Sequence, residues 1–341
     1  MKKLFFLLAC VAMSVLSFGQ DNQLVWTNGR LLYGTPIESI DSLTYDEMED
    51  VDTLHLLLPR TLVKVVHDTV YIHDTVYVET DCGGEGDTPS AGIGVFSVSA
   101  DKQVTFSKGN LQYHPANNEW RFAENQTDYI GDANSNIAAD YDGWIDLFGW
   151  STGATNFGVS TSEDYDDYRG SFVDWGTNQI GSDAPNTWRT LSKDEWMYIF
   201  YNRPNAQSLF ALGSVNGVNG TIILPDNWTT PSGVSFVAST TQGLSWDGSY
   251  YYNSNGNNFS HNTYTAEQWQ TMEQAGAVFL PASGSRWGTG VDYVGLNGSY
   301  WSSTEFNVYY AYIVYFYSGY LFPQYGDTRN RGRAVRLAQD L

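Results

Sequence analysis

The sequence predicts an α+β fold for the larger part of the chain, on three observations. Residues 95–341 form one compositionally even block that is rich in Trp, Tyr, Gly and Asn. Short apolar runs in this block are broken repeatedly by turn residues, a pattern typical of mixed short strands. Two segments carry the spacing and the start signals of short amphipathic helices. A mostly β chain with two helices belongs to the α+β class.

The chain begins with the features of a secretory signal peptide, predicted over 1–19. Two lysines precede a continuous apolar stretch, and the small residues Ser17 and Gly19 follow it. The stretch is too short for a membrane span, and no other segment is apolar enough to cross a bilayer. The segment "LLAC" at 7–10 is also compatible with a lipobox, so a lipid anchor at Cys10 is an alternative to plain secretion. Both predict an extracellular or outer-membrane-surface protein.

Residues 20–60 predict a small β-rich N-terminal segment. The strings "LVW" and "RLLY" flank the turn "TNG", which indicates a hairpin. A further short strand is predicted at "IDSLTY", residues 40–45. The segment is too small for us to expect it to be stable alone.

Residues 61–94 predict an extended repeat stalk and a flexible linker. The string "HDTVYI" at 67–72 is followed directly by "HDTVYV" at 73–78. Two histidines on one extended strand do not complete a coordination shell, so no metal site is predicted here. The Gly- and Pro-containing stretch at 82–92 is typical of a linker, and it places the domain boundary before residue 95.

The 95–341 block begins with four predicted short strands and carries two predicted helices. The strands are in "GVFSVS", "KQVTFS", "GNLQYH" and "EWRFAE". The first helix starts at a capping box of Ser192 and Glu195, and it places Trp196, Ile199 and Phe200 on one face. The second starts at Thr265 and Gln268 and stops at Gly276.

Charge and motif content exclude several functions. The formal charge of −21 opposes nucleic-acid binding, which requires a basic surface. The block contains no zinc-protease, serine-hydrolase, phosphate-loop or paired-cysteine motif, so we expect neither an enzyme nor a cofactor. His114 and His261 lie in turn-like sequence and are predicted to be exposed. The string "EDYDDY" at 163–168 indicates a solvated acidic loop rather than a calcium site.

The order of three strings in the block resembles a known family. These are "WRTLSKDEW", "GAVFLPASGSRWGTGVDYVGLNGSYWSSTE" and "RGRAVRL". Together they resemble the Fibrobacter succinogenes major paralogous domain and its relatives over most of 95–341. The resemblance implies a C-type-lectin-like fold in the form also used by formylglycine-generating enzymes. The cysteines through which those enzymes work are absent here, as are the calcium–sugar motifs of animal C-type lectins, so neither activity is implied.

The last strands resemble the variable proteins of diversity-generating retroelements. Such proteins end in this fold, and adenine-directed mutagenesis rewrites Asn codons in a template such as "AYNLNFNSNNVNPQNNNNRNNGxSVRL". The fixed template positions are matched by Ala311, Tyr312, Phe316, Ser318, Pro323, Gln324, Arg329, Asn330 and Gly332. Randomised AAC or AAT codons cannot yield Glu, Gln, Lys, Met or Trp. None of these residue types occupies a candidate slot, the name we give to the positions where the template has Asn. The candidate slots are Ile313, Tyr315, Tyr317, Gly319, Tyr320, Phe322, Tyr325, Gly326, Asp327, Thr328 and Arg331, with Phe306, Asn307, Val308, Tyr309 and Tyr310 as further candidates upstream.

Strand periodicity also predicts a ligand-binding face, independently of the family resemblance. With a period of two, Tyr312, Val314 and Phe316 share a core face, while Ile313, Tyr315 and Tyr317 share an outward face. A turn at Ser318–Gly319 then leads to Tyr320 and Phe322. Outward aromatic patches are typical of partner binding. The predicted ligand-binding residues are Phe306, Asn307, Val308, Tyr309, Tyr310, Ile313, Tyr315, Tyr317, Tyr320, Phe322, Tyr325, Asp327 and Thr328.

These patterns predict a secreted or cell-surface ligand-binding or adhesion protein, with a protein or glycan ligand on a cell or phage surface. The alternatives are a structural or fimbrial-tip component without a diversified site, and an enzyme of the formylglycine-generating-like fold. The arginines near the C-terminus are predicted to be neutralised by the acidic body rather than to bind an anionic ligand. These are Arg329, Arg331, Arg333 and Arg336.

Overall fold

The computed structural model describes residues 94–239 and 258–341, together with strand segments within 1–93 and within 240–257. The chain divides into two compact units, Met1–Asp87 and Thr88–Leu341. Several predicted features lie outside the described residues. These are the signal peptide except for a two-residue strand, the strand at 40–45, the second copy of the repeat after His73 and the linker at 82–92.

The first unit contains two separate β-structures. Its strands are β1 (Phe6–Leu7), β2 (Asn22–Thr27), β3 (Arg30–Pro36), β4 (Leu62–Val66) and β5 (Thr69–His73). The predicted hairpin is present as β2 and β3, and β1 pairs with β2. The first copy of the repeat is not part of one extended strand, because β5 folds back antiparallel on β4. The segment "LVKVV" of β4 is rich in β-branched residues, which favour a strand.

In its described residues, the second unit carries short strands, two α-helices and several single helical turns. The helices are α1 (Lys193–Met197), which continues as a π-helical turn over Tyr198–Asn202, and α2 (Ala266–Gln274). Turns of 3₁₀-helix lie at Gly131–Asn136, Tyr165–Tyr168, Trp175–Thr177 and Ala206–Ser208. The strands are β6 (Phe96–Ser97), β7 (Gln103–Phe106), β8 (Leu111–His114), β9 (Glu119–Phe122), β10 (Arg189–Thr190), β11 (Phe210–Val215), β12 (Val218–Ile223), β13 (Gly243–Leu244), β14 (Tyr250–Asn253), β15 (Thr263–Tyr264), β16 (Val278–Pro281), β17 (Ser285–Trp287), β18 (Gly290–Asp292), β19 (Asn297–Glu305), β20 (Tyr310–Tyr317), β21 (Tyr320–Thr328) and β22 (Leu337–Asp340).

These strands form several small sheets, in an arrangement compatible with the predicted α+β class. Four strands pair in the order β10-β22-β7-β6, and four in the order β15-β11-β12-β16. A five-stranded sheet has the order β13-β14-β21-β20-β19, and β8–β9 and β17–β18 form two-stranded ladders. The four strands predicted near residue 95 are present as β6, β7, β8 and β9.

Both predicted helix starts are confirmed. The Ser192 hydroxyl accepts a hydrogen bond from the Glu195 amide at 3.2 Å, and the Glu195 carboxylate accepts one from the Ser192 amide at 2.8 Å. Thr265 and Gln268 make the same reciprocal pair. The second helix ends before Gly276, whose φ of +91° favours glycine. Local capping chemistry therefore sets both starts.

Strand β20 separates two apolar cores. Val314 and Phe316 pack on one face, in the cluster that contains Trp196 of α1. Ala311 and Ile313 pack on the opposite face, in a second cluster built around tryptophans of the 110–190 segment and Trp301 of β19. Both faces of β20 are therefore covered between Ala311 and Phe316. This packing fixes the positions of the two turns that flank the strand, where the candidate site residues lie.

Candidate functional site

Five aromatic rings lie together near the turn between β20 and β21, and we call them the aromatic patch. They belong to Tyr315, Tyr317, Tyr320, Phe322 and Tyr325. In the antiparallel register Tyr317 is opposite Tyr320, and Tyr315 is opposite Phe322. Neighbouring ring centroids lie 5.0–6.3 Å apart. All five side chains are partly exposed, so the patch is a continuous aromatic surface at the end of the sheet.

A β-bulge brings Tyr325 into this patch. Strict alternation would place Tyr325 on the opposite face from Tyr320 and Phe322. The register shifts between Ile313 and Tyr315, so that two residues of β21, Pro323 and Gln324, lie opposite Val314 alone. Tyr325 consequently pairs with Ile313 on the patch face, where its ring centroid is 5.7 Å from that of Phe322.

One polar contact supports the patch at Tyr315. The Asn297 side-chain amide donates to the Tyr315 hydroxyl at 3.2 Å. Burial raises the pKa of the Tyr315 hydroxyl, and the positive charge of Arg333 partly opposes this shift. Burial also raises the pKa of the Tyr317 hydroxyl. Both phenols are therefore neutral at physiological pH and can donate or accept hydrogen bonds.

The structure corrects four expected positions in these strands. Ile313 is 1% exposed, because the second apolar core covers the outward face at this end of β20. Thr328 is buried where the last residue of β21 pairs with Tyr310. Tyr312, predicted to be core, is partly exposed beside Phe306, with the Lys193 ammonium 5.3 Å above its ring. Asp327 is largely covered and forms an ion pair with Arg333.

The remaining predicted residues lie at the opposite end of β20, in the turn at 306–310. Phe306 and Val308 are 54% and 57% exposed. The Asn307 side chain accepts from the amides of Tyr309 at 2.9 Å and Tyr310 at 3.0 Å, which closes the turn. Seven residue steps along β20 separate this turn from Tyr317, about 23 Å. The predicted residues therefore form two surfaces rather than one.

Buried Arg329 holds the turn in place. Its guanidinium donates to the Asn307 carbonyl at 2.6 Å and to the Glu305 carboxylate at 2.8 Å. On its other side it donates to the Gly170 carbonyl at 3.2 Å, and it lies 4.1 Å above the Trp150 ring. One arginine therefore connects the turn to the 163–170 segment.

Three of the four C-terminal arginines have carboxylate neighbours, as predicted. Arg329 pairs with Glu305, and both Arg333 and Arg331 pair with Asp327. Arg336 differs, because its guanidinium donates to uncharged oxygens instead: the Ser107 and Phe279 carbonyls at 3.1 Å and 2.8 Å, and the Asn110 side chain at 3.2 Å. It is fully buried, so it is not available to an anionic ligand.

The described residues offer no assembled metal site, since they contain no suitable group of three or more His, Cys, Asp or Glu side chains. The expectation that His114 is exposed is wrong. It lies buried in β8, with its Nε2 atom 3.4 Å from the Asp142 carboxylate and its ring against Trp144. His261 is exposed, as predicted. In the part of the chain that the structure describes, no helix has the length and apolar character to cross a membrane.

Sequence analysis did not assign to the site three residues that contact the two surfaces. Asn297 supports Tyr315. Tyr165 and Arg169 contact Tyr309 of the turn. No local pattern marks these three as site residues, because only the pairing of β19 and the course of the 163–170 segment bring them to the hairpin.

The chain matches no protein-family model, and comparisons with curated proteins and with solved structures give no match either.

Proposed function

We propose that this chain is a secreted or cell-surface ligand-binding or adhesion protein with a C-type-lectin-like domain, and that the aromatic patch contacts the ligand. The observation that carries the proposal is the set of five partly exposed rings on one face at the end of the sheet. Tyr and Phe offer large contact areas while losing little rotamer freedom on binding. The ligand is a protein or a glycan on a cell or phage surface, recognised without covalent chemistry.

The core residues beneath the patch hold the strands so that the patch side chains face outward. Phe316 and Leu321 anchor β20 and β21 in the first core, while the patch residues alternate with them on the other face. The two strands are joined by the two-residue turn Ser318–Gly319, where the φ of Gly319 is +91°. Patch side chains can therefore change while their anchors stay, which is what diversification of the candidate slots requires.

The test is binding of the full chain to a printed glycan array and to an array of purified cell-surface proteins. The variant Tyr317→Ser/Tyr320→Ser should lose the signals that the wild-type chain gives. The matched control Tyr129→Ser/Tyr141→Ser removes two partly exposed tyrosines of the body, and it should keep those signals. Circular dichroism checks that all chains are folded. Signals that both double variants retain would contradict the proposal.

Deep sequencing of the 3′ end of the gene in the source population tests diversification separately. Substitutions concentrated at the candidate slots, with Phe316 and Pro323 fixed and a template with a reverse transcriptase nearby, are the expected result. A uniform 3′ end without a template would leave a constant adhesion domain.

A further inference from the structure

The turn at 306–310 and the segment 163–170 lie side by side, and we call them together the turn surface. The Tyr165 and Tyr309 rings meet edge to face with centroids 6.1 Å apart. The Arg169 guanidinium lies 4.7 Å from the Tyr309 ring centroid and hydrogen-bonds its hydroxyl, from a position 140 residues away in the chain. Exposed Phe306 and Val308 belong to the same turn.

The two segments are fixed to each other by buried groups. Arg329 bridges the Asn307 and Gly170 carbonyls, as described above. The Asn330 side-chain amide donates to the Glu163 carbonyl at 2.7 Å. A surface that is already ordered loses little conformational entropy when a partner binds.

The turn surface is strongly acidic. Glu163, Asp164 and Asp167 are exposed, and none of them has a cation partner among the described residues. Arg169, the exposed cation of the segment, is paired with Asp166 at 2.9 Å. The turn surface therefore combines exposed apolar and aromatic side chains with carboxylates that nothing in the described part of the chain neutralises.

We propose that the turn surface docks a protein partner that presents basic side chains around an apolar or aromatic residue. The carboxylates complement Lys and Arg, and complementary charge also accelerates encounter. The Tyr165 and Phe306 rings can accept a guanidinium by a cation–π contact. A second copy of this chain would bring the same carboxylates together, and an anionic glycan or an anionic membrane would be repelled, so a basic protein fits best. This site is separate from the aromatic patch.

The test uses fluorescent peptides of equal length that alternate Arg with Trp, Arg with Ser, Glu with Trp, or Ser with Trp. Fluorescence anisotropy measures their binding to the full chain at low and at high salt. The Arg/Trp peptide should bind tightest, at least about tenfold better than the Arg/Ser peptide. Its affinity should fall as salt is raised, because the attraction is between exposed charges.

Two sets of variants locate the binding. Phe306→Ser/Val308→Ser should lower the affinity for the Arg/Trp peptide about tenfold without changing the charge of the chain. Glu163→Gln/Asp164→Asn/Asp167→Asn should weaken it by a similar factor. Asn keeps the oxygen with which Asp164 accepts from the Asp166 amide, so the segment should retain its fold.

A matched control removes the same number of charges elsewhere. Glu119→Gln/Glu124→Gln/Asp140→Asn alters three exposed carboxylates of the body and should change the affinity little. Equal weakening by this control would show attraction by net charge alone and would overturn the inference. Preference for the Glu/Trp or Ser/Trp peptide, or no difference among the peptides, would also overturn it.

The aromatic-patch variant Tyr317→Ser/Tyr320→Ser separates the two proposals. Its affinity for the Arg/Trp peptide should equal that of the wild-type chain. If this variant weakens the peptide, the probe binds the aromatic patch and the inference fails, while the proposed function stands. Loss of array signals without any change in peptide binding supports both sites independently.

Discussion

The turn at 306–310 and the aromatic patch lie at the two ends of β20. Both display exposed aromatic residues, but their supports differ. At the turn, buried Arg329 fixes the backbone through carbonyls of two distant segments. At the aromatic patch, support comes mainly from neighbouring rings and from the Asn297 amide. The shape of the turn therefore depends on one buried charge, whereas the rings of the patch are held by contacts among themselves and by one side-chain amide. Side chains can be exchanged at the patch without breaking a buried polar network.

The sharpest way to break this comparison is to remove Arg329. In Arg329→Met the carbonyls of Asn307, Gly170 and Tyr310 lose a charged donor, and Glu305 loses its ion pair. We expect the free energy of unfolding to fall by about 3 kcal/mol, because several hydrogen bonds from one charged donor are lost together. Urea denaturation measures the change. Arg331→Met, at a partly exposed position, is the control and should cost less than about 1 kcal/mol.

The next largest effect on stability distinguishes a buried from an exposed position among the predicted ligand-binding residues. Ile313→Ala should lower the free energy of unfolding by about 3 kcal/mol, because it opens a cavity in the second core. Val308→Ala removes an exposed side chain of the turn and should have little effect. Urea denaturation of both variants gives the comparison. If Ile313→Ala were as mild as Val308→Ala, position 313 would be a display position after all.

The buried framework of the 130–148 segment should also show a specific pH dependence. Asp146 is fully buried and accepts hydrogen bonds from the Ile130 amide at 3.0 Å and the Asn134 side chain at 2.8 Å. Burial raises the pKa of its carboxyl from 3.8 to about 6. The folded state therefore holds a proton that the unfolded chain releases near pH 4. This favours folding below pH 4, and the contribution is lost as pH rises to about 6.

The expected loss is about 3 kcal/mol between these pH values, since one pKa unit corresponds to about 1.4 kcal/mol. Urea unfolding of the wild-type chain and of Asp146→Asn across this range measures it. The difference in unfolding free energy between the two chains should shift in favour of Asp146→Asn as pH rises. A constant difference would mean that Asp146 does not titrate in this window.

Local chemistry made part of this structure predictable. Ser192 with Glu195, and Thr265 with Gln268, mark helix starts within four residues of sequence, and both starts are confirmed. The alternation that put Phe316 in the core and Tyr317 at the surface also holds. Such features depend on neighbours along the chain, and so a sequence can reveal them.

The sequence could not reveal features that depend on distant partners. Ile313 and Tyr317 occupy equivalent positions in the alternation, and only the tryptophan-rich core of another segment buries the first of them. Tyr325 joins the patch through a bulge that two strands define together. The division of the predicted site into two surfaces follows from the length of β20 and from the contacts of Arg329.

The smallest expected effect on stability is at the patch, and it decides whether the comparison holds. Tyr317→Ser/Tyr320→Ser removes the cross-strand ring pair with centroids 5.0 Å apart, together with the looser contacts of these rings with Tyr315 and Phe322. Such a pair contributes about 0.2–1 kcal/mol, so the free energy of unfolding should fall by about 1 kcal/mol while array binding is lost. Urea denaturation of this variant and of Arg329→Met compares the two losses in unfolding free energy. A loss as large as that of Arg329→Met would mean that the rings support the fold rather than serve as a replaceable surface, and the proposed function would lose its main support.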